Sequence, residues 1–395
     1  MAAGSAGVRG PHSRRLRIDP RIRQFGPAMK PLSPAGYTIR LLAIMAGVLL
    51  AVWTYVLLAP LAFLPSGYPS WVAKLTMLRE CQPAAIDFFG DSRVEAGIIP
   101  AVLPVAANNL GVAGGTPVEV ESGVRRALRC SAKPGLVVIA LGSDRFGPLG
   151  ETFWVESLGY GFMTFHDLRD LERRASMLGD SNTLGDARTQ EGLSGPIRDW
   201  LYRLDFPSMS FSNLLQGQIF RRYGSNIARL GRIRQARGFV PYPALPPTDR
   251  SGPEAKQTRF ATTPLQLAAL EATLATLRDS SVPVALLLMP VKKVTSDAMA
   301  PDMKRAYLDY LRSLSTRFSN IRIIGADIPA WPSTMFTDAV HLNAAGAERF
   351  SARLAECIEG ASIRSNCDLD WDARLSRADP TTADPTTADP TAGVR

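Results

Sequence analysis

The chain has 395 residues, 46% of them hydrophobic, and a formal net charge of +9. Length alone leaves room for two or three domains at about 150 residues each. The charge does not point to a nucleic-acid partner, because most of it sits in the first forty residues, where Arg9, Arg14, Arg15, Arg17, Arg21, Arg23, Lys30 and Arg40 face one acid, Asp19, and are not patterned with aromatics on a folded face.

Residues 1–40 have no apolar periodicity and read as a disordered basic arm. From Leu41 to Leu64 the chain runs "LLAIMAGVLLAVWTYVLLAPLAFL" without a charged residue, close to the ~20 residues that cross a bilayer core. We read 41–64 as a membrane anchor. A cleaved signal peptide is the rival, but its apolar region usually spans only ~7–15 residues, and no good A-x-A site follows here. Basic residues ahead of the anchor keep the N-terminus in the cytoplasm and place the remainder on the far side. The expected topology is therefore single-pass, with an extracytoplasmic domain over 70–370.

Four cysteines, Cys81, Cys130, Cys357 and Cys367, follow the anchor. An oxidising compartment permits two disulfides in any of three connectivities, with burial as free thiols as the other reading. No C-x-x-C occurs, so a zinc ribbon is not expected. The closing "ADPTTADPTTADPTAG" within 375–395 has nothing to bury and reads as a solvated tail.

Between anchor and tail, short apolar runs alternate with helical patterns. Ala84–Gly90, Pro104–Gly111, Leu136–Gly142, Val282–Pro290 and Ile321–Asp327 read as strands; Pro117–Arg129, Leu265–Leu277, Met303–Leu314 and Ala344–Cys357 read as helices. Continuous apolar strands separated by helices predict an α/β sandwich around a parallel sheet. Residues 150–253 break the rhythm and read as a mostly helical insertion. It leaves the third strand at the edge where ligands gather in such sheets, so it walls the site, serves as a lid with no ligand role, or meets another protein. Trp154, Tyr160, Phe162 and Phe165 within it are sugar-stacking candidates or packing residues.

Four blocks follow the strands: Gly90-Asp91-Ser92, "NLGVAGGTP" from Asn109 to Pro117, "GSDRF" from Gly142 to Phe146, and "FTDAVHLNAAG" from Phe336 to Gly346. A parallel sheet brings them to one edge. Acyl transfer needs a nucleophile, a base, an orienting group and oxyanion donors. Of three histidines, His12 lies in the arm, His166 in the insertion, and His341 three residues after Asp338. That spacing lets Asp338 hold the imidazole while its other nitrogen faces a hydroxyl; the alternative is that Asp338 or Asn343 only caps the last helix. Gly111, Gly114 and Gly115 do not fit G-x-G-x-x-G, and there is no G-x-x-x-x-G-K-[ST], so no nucleotide cofactor is implied. His341 and Asp338 lack a further histidine at ligand spacing, so no metal is expected.

In this order the blocks resemble the SGNH, or GDSL-type, hydrolase superfamily over roughly 84–147 and 281–359. The resemblance implies a flavodoxin-like parallel sheet sandwich, with Ser92 as nucleophile and as one oxyanion donor through its N–H, Gly114 as a second donor, and Asp338 and His341 completing a triad. Where the family has G-x-N-D, this chain has "LGSD", so Ser143 stands in for the oxyanion asparagine, with Arg93 or Asn109 as substitutes and weak substrate-binding candidates. Arg93 is otherwise expected to form a surface pair with Asp144 or Glu95. The layout is similar to envelope enzymes that add or remove acyl esters on secreted polysaccharides, some with a polytopic membrane acyltransferase as partner. A carbohydrate esterase and a noncatalytic scaffold are the alternatives.

Overall fold

A computed structural model describes residues 33–184, 204 and 210–371, apart from 244, 247, 365 and 366. The arm to residue 32, the middle of the insertion and the repeat tail lie outside the described residues. The chain divides into two compact units between Val52 and Trp53.

One helix, α1 (Pro34–Leu58), is long and apolar enough to cross a membrane. It begins and ends earlier than the apolar run suggests. Ser33 starts it by accepting the Gly36 N–H on its hydroxyl, with Pro34 at the first helical position, where a missing N–H costs nothing. Pro60 ends it, because a proline ring has no N–H to give and collides with the carbonyl one turn back. A single turn, α2 (Pro60–Phe63), and α3 (Tyr68–Arg79) follow.

The fold is mixed α/β with one parallel sheet of five strands: β1 (Ile86–Gly90), β2 (Ala107–Asn109), β3 (Leu136–Ala140), β4 (Val284–Leu287) and β5 (Ile321–Ile324). Their order is β2-β1-β3-β4-β5, and every pairing is parallel. Each expected strand is present and shorter than its apolar run. Strand order reverses between β1 and β3, the point at which ligands sit in doubly wound sheets.

Both faces are covered, which explains the continuous apolar strands. Phe89, Val137, Ile139, Val284 and Leu286 pack on one side beneath α3, α5 (Pro117–Ala127) and the helices at Pro264–Asp279 and Pro301–Arg317. Ile86, Phe88, Val138, Ala285 and Leu287 pack on the other, with Val94 and Ile98 around α4 (Ser92–Gly97) and Phe350 and Leu354 of the Ala344–Cys357 helix. Disulfides join Cys81 to Cys130 and Cys357 to Cys367. The first ties the end of α3 to the end of α5.

Described parts of the insertion are largely helical, including α6 (Phe165–Met177), α7 (Phe211–Ile219) and α8 (Arg222–Gln235). Trp154, Tyr160 and Phe162 are buried in the main core and Phe165 packs against it. These aromatics are packing residues rather than an exposed sugar platform. Beyond α8 the chain covers the free edge of β2: Arg237 O accepts from Asn109 N at 2.8 Å, and the Arg237 guanidinium donates to Ala107 O and Asn108 Oδ1 at 2.6 and 2.8 Å. An otherwise open strand edge is thereby closed.

Candidate active site

The first block is built by a strand that must stop and a helix that must start. Gly90 passes so close to β3 that a Cβ there would collide with the Ala140 carbonyl. Asp91 then caps α4, accepting the Arg93 N–H at 2.9 Å, and Ser92 is the first helical residue. Its N–H therefore has no intrahelical acceptor, and neither it nor the Gly114 N–H donates to any described residue. Val112 N donates to Gly90 O at 3.0 Å, holding the glycine-rich second block against the carboxyl end of β1.

His341 arrives from the far end of the chain on a tight loop. Phe336 bridges Leu342, Thr337 N donates to His341 O at 2.9 Å, and Asn343 separately caps the last helix by accepting from Gly346 N. The capping alternative thus belongs to Asn343, which leaves Asp338 for the imidazole. His341 Nδ1 lies 2.7 Å from Asp338 Oδ2, and His341 Nε2 lies 2.8 Å from Ser92 Oγ. Asp338 Oδ1 also accepts the Val340 and His341 amides, each at 2.9 Å. Partial burial opposes the Asp338 charge, but the His341 hydrogen bond and the two amides outweigh it and hold the carboxyl down at about 2. An ionised carboxylate on Nδ1 leaves Nε2 to accept the serine proton.

Three expected contributors are placed elsewhere. Ser143 is buried, and its one hydroxyl proton goes to Gln257 Oε1 at 2.7 Å, so it is not the direct oxyanion donor its position suggested. Asn109 is fully buried, and its amide donates to the Val94 and Ile98 carbonyls at 2.7 Å each. Those bonds position α4 and leave no donor for a ligand. Arg93 does pair with Asp144, at 3.2 Å, but the pair is buried rather than on the surface, and Glu254 contacts the same guanidinium. Burial opposes its charge, yet Glu254 and Asp144 raise its pKa above the ordinary value. His166 is exposed on α6 near Arg79, Arg126 and Arg129, outside the site. Among the described residues no cluster of three or more metal-ligating side chains occurs.

Some site residues had no signal in the pattern. Tyr242 stacks on His341 with ring centroids 4.6 Å apart and 19° between planes, while Thr337 Oγ1 donates to Pro243 O. The end of the insertion therefore walls the site. Arg145 Nε donates to Asp91 Oδ2 at 3.1 Å, and Arg145 lines a groove of about 690 Å³ with Leu245, Arg250, Asp338 and Val340. From α3, buried Lys74 reaches Glu95 at 3.1 Å and the Gly111 carbonyl of the second block. Burial lowers the Lys74 pKa, with Glu95 working against the shift. The only sequence hint for Arg145 was its place in the third block; Tyr242 lies in a proline-punctuated stretch with no periodicity.

No family model matches the chain, and comparison with curated proteins and with solved structures returns no match.

Proposed function

We propose that the protein is a membrane-anchored serine acyl-transfer enzyme of SGNH type, acting on O-acyl, most simply O-acetyl, esters of a cell-envelope or secreted polysaccharide. The reading is carried by the continuous relay Ser92–His341–Asp338, with contacts of 2.8 and 2.7 Å. Strand order and the position of the four blocks support it. In the proposed reaction, Ser92 Oγ attacks the acyl carbonyl as its proton passes to His341 Nε2. The N–H groups of Ser92 and Gly114 receive the oxyanion, and the proton then leaves with the departing alcohol. The acyl group next passes from Ser92 to a sugar hydroxyl, or to water, with His341 again taking the proton. The groove beside Asp338 is where we place the acceptor. The domain faces the periplasm or extracytoplasmic space, as the basic arm ahead of α1 implies, and two disulfides suit that compartment. A polytopic membrane acyltransferase is the proposed donor-side partner.

Labelling of the purified full chain with a fluorophosphonate probe tests this: wild type reacts, and Ser92→Ala and His341→Ala do not. A folded wild-type protein that stays unlabelled overturns the catalytic reading. It would favour the second one, a noncatalytic scaffold in polysaccharide acylation, to which the engagement of Ser143 by Gln257 lends support. Esterase and transferase share every residue, and competition between water and added sugar acceptors separates them.

A further inference from the structure

Helices α7 and α8 carry a row of large apolar side chains on the surface: Phe211, Leu215, Ile219, Phe220, Tyr223 and Ile227, between 42% and 73% exposed. Phe211, Leu215 and Ile219 recur at four-residue intervals on α7, as do Tyr223 and Ile227 on α8, which keeps each set to one side of its own helix; the left-handed Arg221 separates the two helices. Single exposed apolar residues are ordinary, but six large ones on two consecutive helices mark a surface meant to leave water.

The occupant follows from what holds this row in place. Gly217 of α7 packs against the backbone of Phe63, and Gln218 donates to the Tyr55 hydroxyl at 2.7 Å. Arg222 donates to Phe63 O at 2.7 Å, and Asn226 donates to Leu61 O and Leu64 O at 2.9 and 3.0 Å. All these partners belong to the last turn of α1 or the few residues after it, where Leu57 and Leu58 are themselves exposed. Trp53 and Tyr55 in the same turns are the residue types that settle at headgroup level. Trp53 donates its indole N–H to Leu204 O of the insertion. The apolar row is therefore tied directly to the membrane-exit end of the helix that is built to span. Exposed Arg221 beside it is suited to anionic headgroups.

We propose that α7 and the start of α8 form an in-plane lipid-contact element, with Phe211, Leu215 and Ile219 seated in the boundary between headgroups and acyl chains. This rests on the reading that α1 crosses the bilayer. One spanning helix leaves the attached domain free to swivel; a second lipid contact removes that freedom and fixes which way the Ser92 edge faces along the membrane.

The test uses the full chain in nanodiscs of phosphatidylethanolamine and phosphatidylglycerol. Single added cysteines carry a polarity-sensitive fluorophore, and the quencher is a lipid spin-labelled high on its acyl chain. Labels at Leu215→Cys and Ile219→Cys are expected to shift to the blue and lose fluorescence to the spin-labelled lipid. Ser225→Cys, two residues and so about 200° from both Tyr223 and Ile227 on α8, is expected to do neither. A label at Ile44→Cys, near the middle of α1, is read against a lipid spin-labelled deep on its acyl chain and reports on α1 itself. Quenching at Ile44 without quenching at Leu215 overturns the lipid-contact proposal and leaves the anchor intact, whereas an unquenched Ile44 label overturns both. A blue shift at Leu215 with no lipid quenching would assign the row to a protein contact and also overturn the proposal.

Discussion

Ser92, His341 and Asp338 make separable predictions because each does one job. Under the proposed mechanism Ser92→Ala lowers kcat on a chromogenic acetyl ester by about 10⁴-fold or more, and Asp338→Asn costs about 10⁴-fold by releasing the imidazole into the wrong tautomer. Both are read by steady-state kinetics. Folding depresses the Asp338 pKa from 3.8 to about 2, so its stabilising contribution is complete above about pH 4 and is lost as pH falls toward 2. A stability difference between wild type and Asp338→Asn that closes across that window in acid titration is the expected outcome. It will be small, because the carboxylate is 45% exposed and solvent screens it. That these three side chains meet was legible in the sequence, because a parallel sheet brings its strand ends to one edge and only one histidine stood at the right distance from an aspartate. Arg93, Asn109 and Ser143 were misplaced because residue type does not reveal side-chain direction; each turns inward to carbonyls, carboxylates or an amide. For Arg93 this gives a stability prediction in place of a binding one. Arg93→Leu strands Glu254, which is 2% exposed, and should cost about 3–5 kcal/mol in denaturant unfolding, with part of the loss recovered when Glu254→Gln is added.

At the scale of elements, β1, β3 and β4 declared themselves because burial on both faces leaves mostly apolar side chains along them, whereas Asn108 and Asn109 made β2 the weakest to read. The short helix α4 did not declare itself, since six residues carry too little periodicity to read and its start depends on the Asp91 cap. The end of the insertion was still less legible. Its role depends on Arg237 meeting Asn109 across the β2 edge, a contact between residues far apart in the chain. Gly238 makes this contact possible: its φ is +94°, and a Cβ would strike the Asn109 carbonyl. Gly238→Ala should therefore lift the segment that carries Tyr242 off the site. The backbone conformation alone accounts for about 1–3 kcal/mol, visible as a lower Tm. Tyr242→Ala is expected to spare stability more than Gly238→Ala does, yet to reduce turnover by about 10- to 100-fold through a less firmly held His341.

Across the whole molecule, parallel topology was foreseeable from the alternation of elements, and with it the convergence of four distant blocks. Cysteine pairing was not, because four cysteines allow three connectivities and only the placement of α3, α5 and the C-terminal segment selects one. The two bridges differ in the chain they enclose, with sequence separations of 49 and 10. On loop-closure entropy, losing the first through Cys81→Ser/Cys130→Ser should cost about 4 kcal/mol and losing the second about 3. Chemical denaturation of the two double variants would order them. The extent of α1 was foreseen only approximately: Ser33 and Pro60 set its ends by capping and ring geometry, whereas the apolar run begins inside the helix and continues past its end.

Lys74 carries a consequence for how the domain tolerates proteolysis. It belongs to α3, a short distance past α1, yet it closes over Glu95 and the Gly111 carbonyl of the second block. A protease that nicks the chain between Leu64 and Tyr68 would separate α1 from the rest with this clasp intact. A cut after Arg79 would leave α3 attached only through the Cys81–Cys130 bridge if the cut lies beyond Cys81, and not at all if it lies before. In the latter case only core packing would hold Lys74 against the buried Glu95 carboxylate and the second block, so a released fragment's thermal stability would report on which side of α3 it was cut.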